Sequence, residues 1–97
     1  MLFLTRKPGQ SVMIGDTIRL TVTRVTPDRG ARIDVTEDLG LSTQYRSQIS
    51  LGRQQRQRVA DTVDVMVRRV DGGSLVRLGF CAPRNVPILR QEVYDRE

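Results

Sequence analysis

The residues of this chain that could make strong polar contacts are mostly basic. A short basic run, Thr5-Arg6-Lys7, lies near the amino end, and Arg90 lies near the carboxyl end. A guanidinium group is planar and permanently charged, and it binds phosphate or carboxylate oxygens through two parallel hydrogen bonds. The sequence has 16 Lys and Arg against 11 Asp and Glu, a formal net charge of +5. This charge balance favours anionic partners.

The same composition leaves few residues for catalysis. The sequence has no histidine, one cysteine and no clustered carboxylates, so we expect no enzyme, no metal site and no cofactor. One cysteine cannot form an internal disulfide, and we expect Cys81 to be a small buried residue of a cytoplasmic protein. The apolar start, residues 1–4, is too short for a signal sequence or a membrane span.

Short strands separated by turns are the elements that must position the basic groups. Two segments, 17–25 and 62–70, alternate apolar and polar residues, as half-buried strands do. Pro87 has no backbone N–H, so a strand containing it should lie at the edge of a sheet. The predicted strands are 2–7, 11–14, 17–25, 31–36, 62–70, 74–80 and 86–90, and residues 91–96 can form one to two helical turns.

The two alternating hairpins are related by a constant offset of 45 residues. Six of twenty ungapped positions are identical, where composition alone predicts about one or two. We interpret the chain as one domain, 1–97, built from two repeats of about 1–46 and 47–97. The alternative is two unrelated hairpins with similar strand residues. The identical pairs are Asp16/Asp61, Thr17/Thr62, Val22/Val67, Arg24/Arg69, Val25/Val70 and Arg32/Arg77.

Two motif-rich stretches resemble the carbon storage regulator family, CsrA/RsmA. They are MLFLTRKPGQSVMIGD at the start and VRLGFCAPRNVPILRQEVY near the end. The resemblance covers residues 1–25 and roughly 66–95, about 55 of the 97 residues. It implies a mainly β fold, an intertwined small β-barrel or sandwich of short antiparallel strands with a short C-terminal helix. The family builds this unit from two chains, whereas the repeats predict a tandem-repeat pseudodimer within one chain.

The resemblance also implies a sequence-selective RNA-binding regulator that recognises GGA in hairpin loops of mRNA or small regulatory RNA. In the family, the first strand of one subunit and the last strand of the other form a composite edge that binds the RNA. Such an edge offers unpaired backbone groups, and arginines can contact bases or phosphates. The matching residues are Leu4, Thr5, Arg6, Lys7, Ala82, Pro83, Arg84, Val86, Ile88, Leu89 and Arg90, with Arg90 as the expected anchor.

The repeats predict a second composite edge, between residues 49–52 and 41–45, that has lost the family arginines. Tyr45 stands in the position of Arg90, and Leu51 stands in that of Arg6. We therefore expect one RNA site per chain. The alternative is an ordinary homodimer in which residues 26–65 are an insertion.

The middle of the chain admits further interpretations. The arginine-rich segment 53–58 could form a strand or a helix. Arg46, Arg53, Arg56 and Arg58 could form an accessory basic patch or part of a solvated surface. Residues 26–65 as a whole could form a second RNA site or a structural insertion. The alternative function is a protein-interaction module that has lost RNA binding and binds an antagonist of the flagellar assembly factor type. Retention of LTRK and VPILR argues against that loss.

Overall fold

Antiparallel strands form two packed sheets in the computed structural model, which describes residues 1–26, 30–40, 42–72 and 74–96. Sheet A has the strand order β1-β8-β7-β6, and sheet B has the order β5-β4-β3-β2-β9. The prediction of a mainly β fold with a short C-terminal helix is confirmed. The elements are β1 (Leu2–Arg6), β2 (Ser11–Ile14), β3 (Ile18–Thr26), β4 (Gly30–Gly40), β5 (Thr43–Leu51), β6 (Arg56–Ala60), β7 (Val63–Asp71), β8 (Leu75–Cys81), β9 (Ile88–Arg90) and α1 (Gln91–Tyr94).

The two ends of the chain are exchanged between the sheets. β1 pairs with β8 in sheet A, which is otherwise built from the second half of the chain. β9 pairs with β2 in sheet B, beside strands of the first half. Each end therefore completes the sheet formed by the other half, which is the intertwined arrangement that the resemblance implied.

Pro87 precedes one edge strand, and the arginine-rich segment contains part of another. β9 begins at Ile88, directly after Pro87, and lies at a sheet edge, as the missing N–H of proline requires. The arginine-rich segment ends in a strand, β6, rather than a helix. The predicted turn residues 27–29 and 73 lie outside the described residues.

The core is built from equivalent positions of the two halves. The inward residues of β3 and β4 face those of β7 and β8, and the apolar side chains become inaccessible to water. Burial of this kind contributes about 25 cal/mol per Å² of apolar surface. Six buried pairs are related by the 45-residue offset: Ile18/Val63, Leu20/Val65, Val22/Val67, Ala31/Val76, Ile33/Leu78 and Val35/Phe80.

Strand pairing follows the same offset. β1 pairs with β8 so that Leu4 lies opposite Leu78. β5 pairs with β4 so that Ile49 lies opposite Ile33, which are the same two positions displaced by 45 residues. The other four residue pairs between β1 and β8 also have their equivalents between β5 and β4. The two halves therefore share strand register as well as sequence.

A hydrogen bond of the turn after β1 recurs at the equivalent positions of the second repeat. The Lys7 N–H donates to Gln10 Oε1 at 2.9 Å, and the Gly52 N–H donates to Gln55 Oε1 at 2.8 Å. Gln54 has a positive φ of 67°, as does the glycine at its equivalent position. A non-glycine residue seldom adopts this conformation. That Gln54 nevertheless adopts it indicates that the second repeat keeps the geometry of the turn. The pairing of Gln10 with Gln55 was a sequence identity that the repeat comparison missed.

The predicted second composite edge is wrong. Residues 43–45 and 49–51 do not lie on two neighbouring edges, because both belong to the single strand β5, which pairs with β4 along its length. Leu41, which was part of the prediction, lies outside the described residues.

Side-chain polarity explains why the two halves differ here. In β9, the half-buried Ile88 and Leu89 hold the strand beside β2. At the equivalent positions, Thr43 and Gln44 are polar and exposed. Moving residues 43–45 across to β6 would bury little apolar surface, so this segment extends the hairpin with β4 instead.

Candidate nucleic-acid interface

β1 and β9 are edge strands that meet on one side of the sandwich. Within the described ranges, each has one hydrogen-bonded neighbour, so its other edge leaves backbone N–H and C=O groups unpaired with protein. The structure thus brings together the first strand, the last strand and the loop before the last strand. A pocket of about 200 Å³ between them is lined by Met1, Leu2, Phe80, Cys81, Ala82, Pro83, Arg84, Val86 and Ile88.

The apolar members of the predicted site support its walls. They are half-buried, and most of them pack against the central core. Leu89 lies opposite the buried Met13 in the pairing of β9 with β2. These side chains fix the position of the two edges, whose backbone is then held at a defined separation. The core-packing members are Leu4, Ala82, Val86 and Ile88.

The polar members project toward solvent. Lys7, Arg84, Arg90 and Thr5 are exposed, and so is Pro83, the one apolar member that is not half-buried. Across the portion of the chain that is described, none of the three cations forms a salt bridge. They are therefore available to an anionic ligand that lies along the composite edge, by which we mean β1, β9 and the residues 82–87 between β8 and β9.

Arg6 differs from the other cations because it is buried, with 4% of its surface exposed. Its Nη1 and Nη2 donate to Glu92 Oε1 and Oε2, each at 2.9 Å. Its Nε donates to the Thr5 carbonyl at 2.8 Å, and Nη1 also approaches the Ser11 carbonyl at 3.3 Å. Arg6 therefore ties β1 to α1 and positions the edge. Glu92 is a residue that sequence reasoning missed; its acidic side chain just after the last strand was the available signal.

The hydrogen bonds from Arg6, with a contribution from the Glu92 backbone N–H, lower the pKa of Glu92 from 4.5 to about 2. Because the folded-state pKa is depressed, the ion pair contributes its full stability above about pH 4.5, and the contribution is lost as pH falls toward 2.

We expect the melting temperatures of the native chain and Glu92→Gln to differ most above about pH 4.5 and to converge toward pH 2. Circular dichroism melts across this pH range measure the gap. A gap that stays constant down to pH 2 would show that Glu92 does not titrate with a depressed pKa.

Cys81 is exposed, so the expectation of a buried cysteine was wrong. It is the last residue of β8, where Phe80 points into the core. Successive side chains of a strand point to opposite faces, so Cys81 points outward, into the pocket beside Arg84. The alternation in VRLGFC contained this information.

The positions that correspond to the two predicted site arginines, one in each repeat, have different surroundings. Tyr45 is exposed on β5, at the position that corresponds to Arg90. Leu51 is buried in the core, at the position that corresponds to Arg6. These two positions therefore have neither the exposed arginine nor the buried arginine of the ion pair.

A larger cavity, of about 540 Å³, lies on the outer face of sheet B, away from the composite edge. Arg19 and Arg46 line it together with Asp34, whose Oδ1 accepts a hydrogen bond from Gln48 Nε2 at 2.9 Å. Its charges are mixed, because the carboxylate of Asp34 lies beside the two arginines. The composite edge is therefore the better candidate for a nucleic-acid interface.

Neither a metal site nor a membrane-spanning helix is found among the described residues. No group of three or more His, Cys, Asp or Glu side chains in them is arranged to hold a metal ion. None of the helices that can be described has the length and apolar content needed to cross a membrane.

Comparison with known proteins identifies similar chains. The CsrA family, described as a global regulator protein family, matches residues 1–36 and 48–97. A translational regulator CsrA from Oleidesulfovibrio alaskensis is 39% identical over 66 residues, which cover 66% of this chain and 81% of that protein. A translational regulator CsrA from Pseudarthrobacter chlorophenolicus is 47% identical over 49 residues, which cover 50% of this chain and 61% of that protein. No solved structure gives a significant match.

Proposed function

This chain belongs to the CsrA family of global regulator proteins, and on that premise we propose that it is an RNA-binding translational regulator that recognises GGA in hairpin loops. Membership confirms the resemblance predicted from the sequence and, because the family is one of regulators, the expectation that the chain is not an enzyme. The similar chains named translational regulators support regulation of translation as its role.

The observation that carries the proposal is the composite edge. Two open strand edges flank one pocket, and Lys7, Arg84 and Arg90 project from them and from the adjoining residues, with no salt bridge to the described part of the chain. The unstacked bases of a loop expose their edges, which backbone N–H and C=O groups can read. The cations then bind the flanking phosphates. Only 4% of residues are aromatic, so base stacking on aromatic side chains contributes little.

One chain supplies both walls of this edge, because its two ends are exchanged between the sheets. We therefore infer that the chain is a pseudodimer of two repeats, about 1–46 and 47–97, that needs no second copy to complete the site. The shared register, the shared turn and the six buried pairs support this inference. The equivalent segments, 43–45 and 49–51, lie on one strand, so the described residues form no second composite edge, which supports one RNA site per chain.

The single cysteine reports directly on occupancy of the site. Cys81 is exposed and lines the pocket of the composite edge, and thiol reactivity depends on access. We expect a saturating hairpin with GGA in its loop to slow alkylation of Cys81 by iodoacetamide by about tenfold or more. Mass spectrometry of timed samples gives the rate constant.

The matched control is the same hairpin with the GGA triplet changed, at moderate salt, where non-selective charge binding is weak. We expect it to leave the alkylation rate nearly unchanged. Equal protection by both hairpins would contradict GGA recognition. Tight binding of the GGA hairpin with no protection would place the RNA elsewhere on the molecule.

A further inference from the structure

β6 is an edge strand with an empty position beside it. Its hydrogen-bonded neighbour is β7, and no described strand lies on its other side. The 45-residue offset relates β6 to β2, and β2 has β9 in this position. The open side of Arg56–Ala60 is thus an unoccupied strand position, which we call the slot. Beside β2 the equivalent position is occupied by β9, whereas residues 43–45, the equivalents of β9, do not pair with β6.

The pairing of β9 with β2 shows what kind of segment would fit beside β6. Along β2, Ile88 lies opposite Ile14, and Leu89 lies opposite Met13. A backbone hydrogen bond from the Gly15 N–H to the Pro87 carbonyl, at 2.8 Å, extends the pairing. The occupant there is an extended polypeptide, antiparallel to its neighbour, with half-buried apolar side chains. Strand addition of this kind takes its affinity from main-chain hydrogen bonds and its specificity from side chains.

The half-buried apolar side chains and the charged side chains of β6 indicate the composition of the segment that would bind there. Val59 and Ala60 are half-buried and pack against the core, so an apolar side chain beside them would lose water contact. Arg56 and Arg58 are exposed on the same strand. Arg58 already pairs with Asp64 at 2.6 Å, whereas Arg56 forms no salt bridge within the described ranges. An acidic side chain opposite Arg56 would complement this charge.

A second copy of this chain fits the slot poorly. Its open edge strands carry basic residues as well: Arg6 on β1, Arg90 on β9, Arg46 on β5, and Arg56 and Arg58 on β6 itself. Pairing such strands would place like charges opposite each other, which is destabilising.

From these observations we propose that β6 binds an extended acidic segment of a partner protein, which adds to sheet A as an antiparallel strand. The partner places an apolar residue opposite Val59 and acidic residues opposite Arg58 and Arg56. The site lies away from the β1 wall of the composite edge, since β6 and β1 are at opposite ends of sheet A. Only its Ala60 end comes near the composite edge, where Ala60 and Val86 line one cavity.

The test uses the full chain, isotope-labelled, and two synthetic peptides that share one backbone. The register of β9 on β2 defines them: VPIEVE has Ile for Val59 and Glu for Arg58 and Arg56, and VPIKVK has Lys instead. Amide shifts are followed by NMR. We expect VPIEVE to shift the amides of residues 56–60 and to bind at least about fivefold more tightly than VPIKVK.

Two charge reversals complete the test. Arg56→Glu should remove the preference for VPIEVE, and Arg46→Glu, the same charge change on β5, should retain it. Four results would overturn the proposal: no shift of residues 56–60, equal affinity for both peptides, concentration-dependent shifts of these amides without peptide, or displacement of VPIEVE by a GGA hairpin. The third would assign the slot to a second copy, and the fourth to RNA. A negative result in this peptide test would not change the expected protection of Cys81 by the GGA hairpin.

Discussion

Replacing Arg90 with alanine is expected to weaken binding of a GGA hairpin by about ten- to 100-fold. A hydrogen bond to a charged group contributes about 1.5–3 kcal/mol, and about 1.4 kcal/mol corresponds to tenfold in affinity. Arg90 is exposed at the end of β9, beside the open edge, and pairs with no acidic group in the described part of the chain. Its guanidinium can therefore bind RNA without first breaking a protein contact, and its removal should leave the fold intact.

Arg46→Ala is the matched control for Arg90→Ala. It removes the same charge from an exposed arginine of an edge strand, but on β5, at the other end of sheet B. We expect it to reduce affinity only slightly and equally for hairpins with and without GGA. Titration by fluorescence anisotropy at moderate salt measures both variants. Equal losses for Arg90→Ala and Arg46→Ala would mean that binding depends on net charge rather than on the composite edge.

The pair Arg6–Glu92 should respond very differently to changes in its two partners. Glu92→Ala leaves the buried guanidinium of Arg6 with only two backbone carbonyls, and an unpaired buried charge is strongly destabilising. We expect its melting temperature to fall by about 5–10 °C. Arg6→Leu instead leaves a half-exposed carboxylate in water. Leucine is the residue found buried at the equivalent position, Leu51, so we expect a fall of at most about 3 °C.

Affinity should not follow stability in these two variants. Both lose the ion pair that ties β1 to α1, so both should bind the GGA hairpin more weakly, including the stable Arg6→Leu. Thermal melts and RNA titration on the same samples separate the two effects. Native affinity in Arg6→Leu would show that the ion pair does not position the edge. A fall in melting temperature as large as that of Glu92→Ala would show that Arg6 is needed for packing.

The regular hairpins and the ends of the chain were predictable because their information is local. Period-two alternation identified β3 and β7, and Pro87 identified an edge strand. The motifs at the two ends identified the strands that form the composite edge. The fold class and the pairing of the first strand with the other half followed from the family resemblance, which carries topology that composition and alternation do not.

The rest depended on competition between distant segments. Residues 43–45 can extend β4 or cross to β6, and the choice follows from how much apolar surface each arrangement buries. The burial of Arg6 likewise requires Glu92, which is 86 residues away along the chain. Cys81 is a different case, since the alternation in β8 already indicated its exposure.

The central claim is that one 11.0-kDa chain forms one complete GGA site. Native mass spectrometry of the protein with increasing GGA hairpin, beside the hairpin with the triplet changed, tests it most directly. We predict a single species of one chain with one GGA hairpin, and no comparable complex with the control. Two hairpins on one chain, or a complex that forms only on a pair of chains, would contradict it.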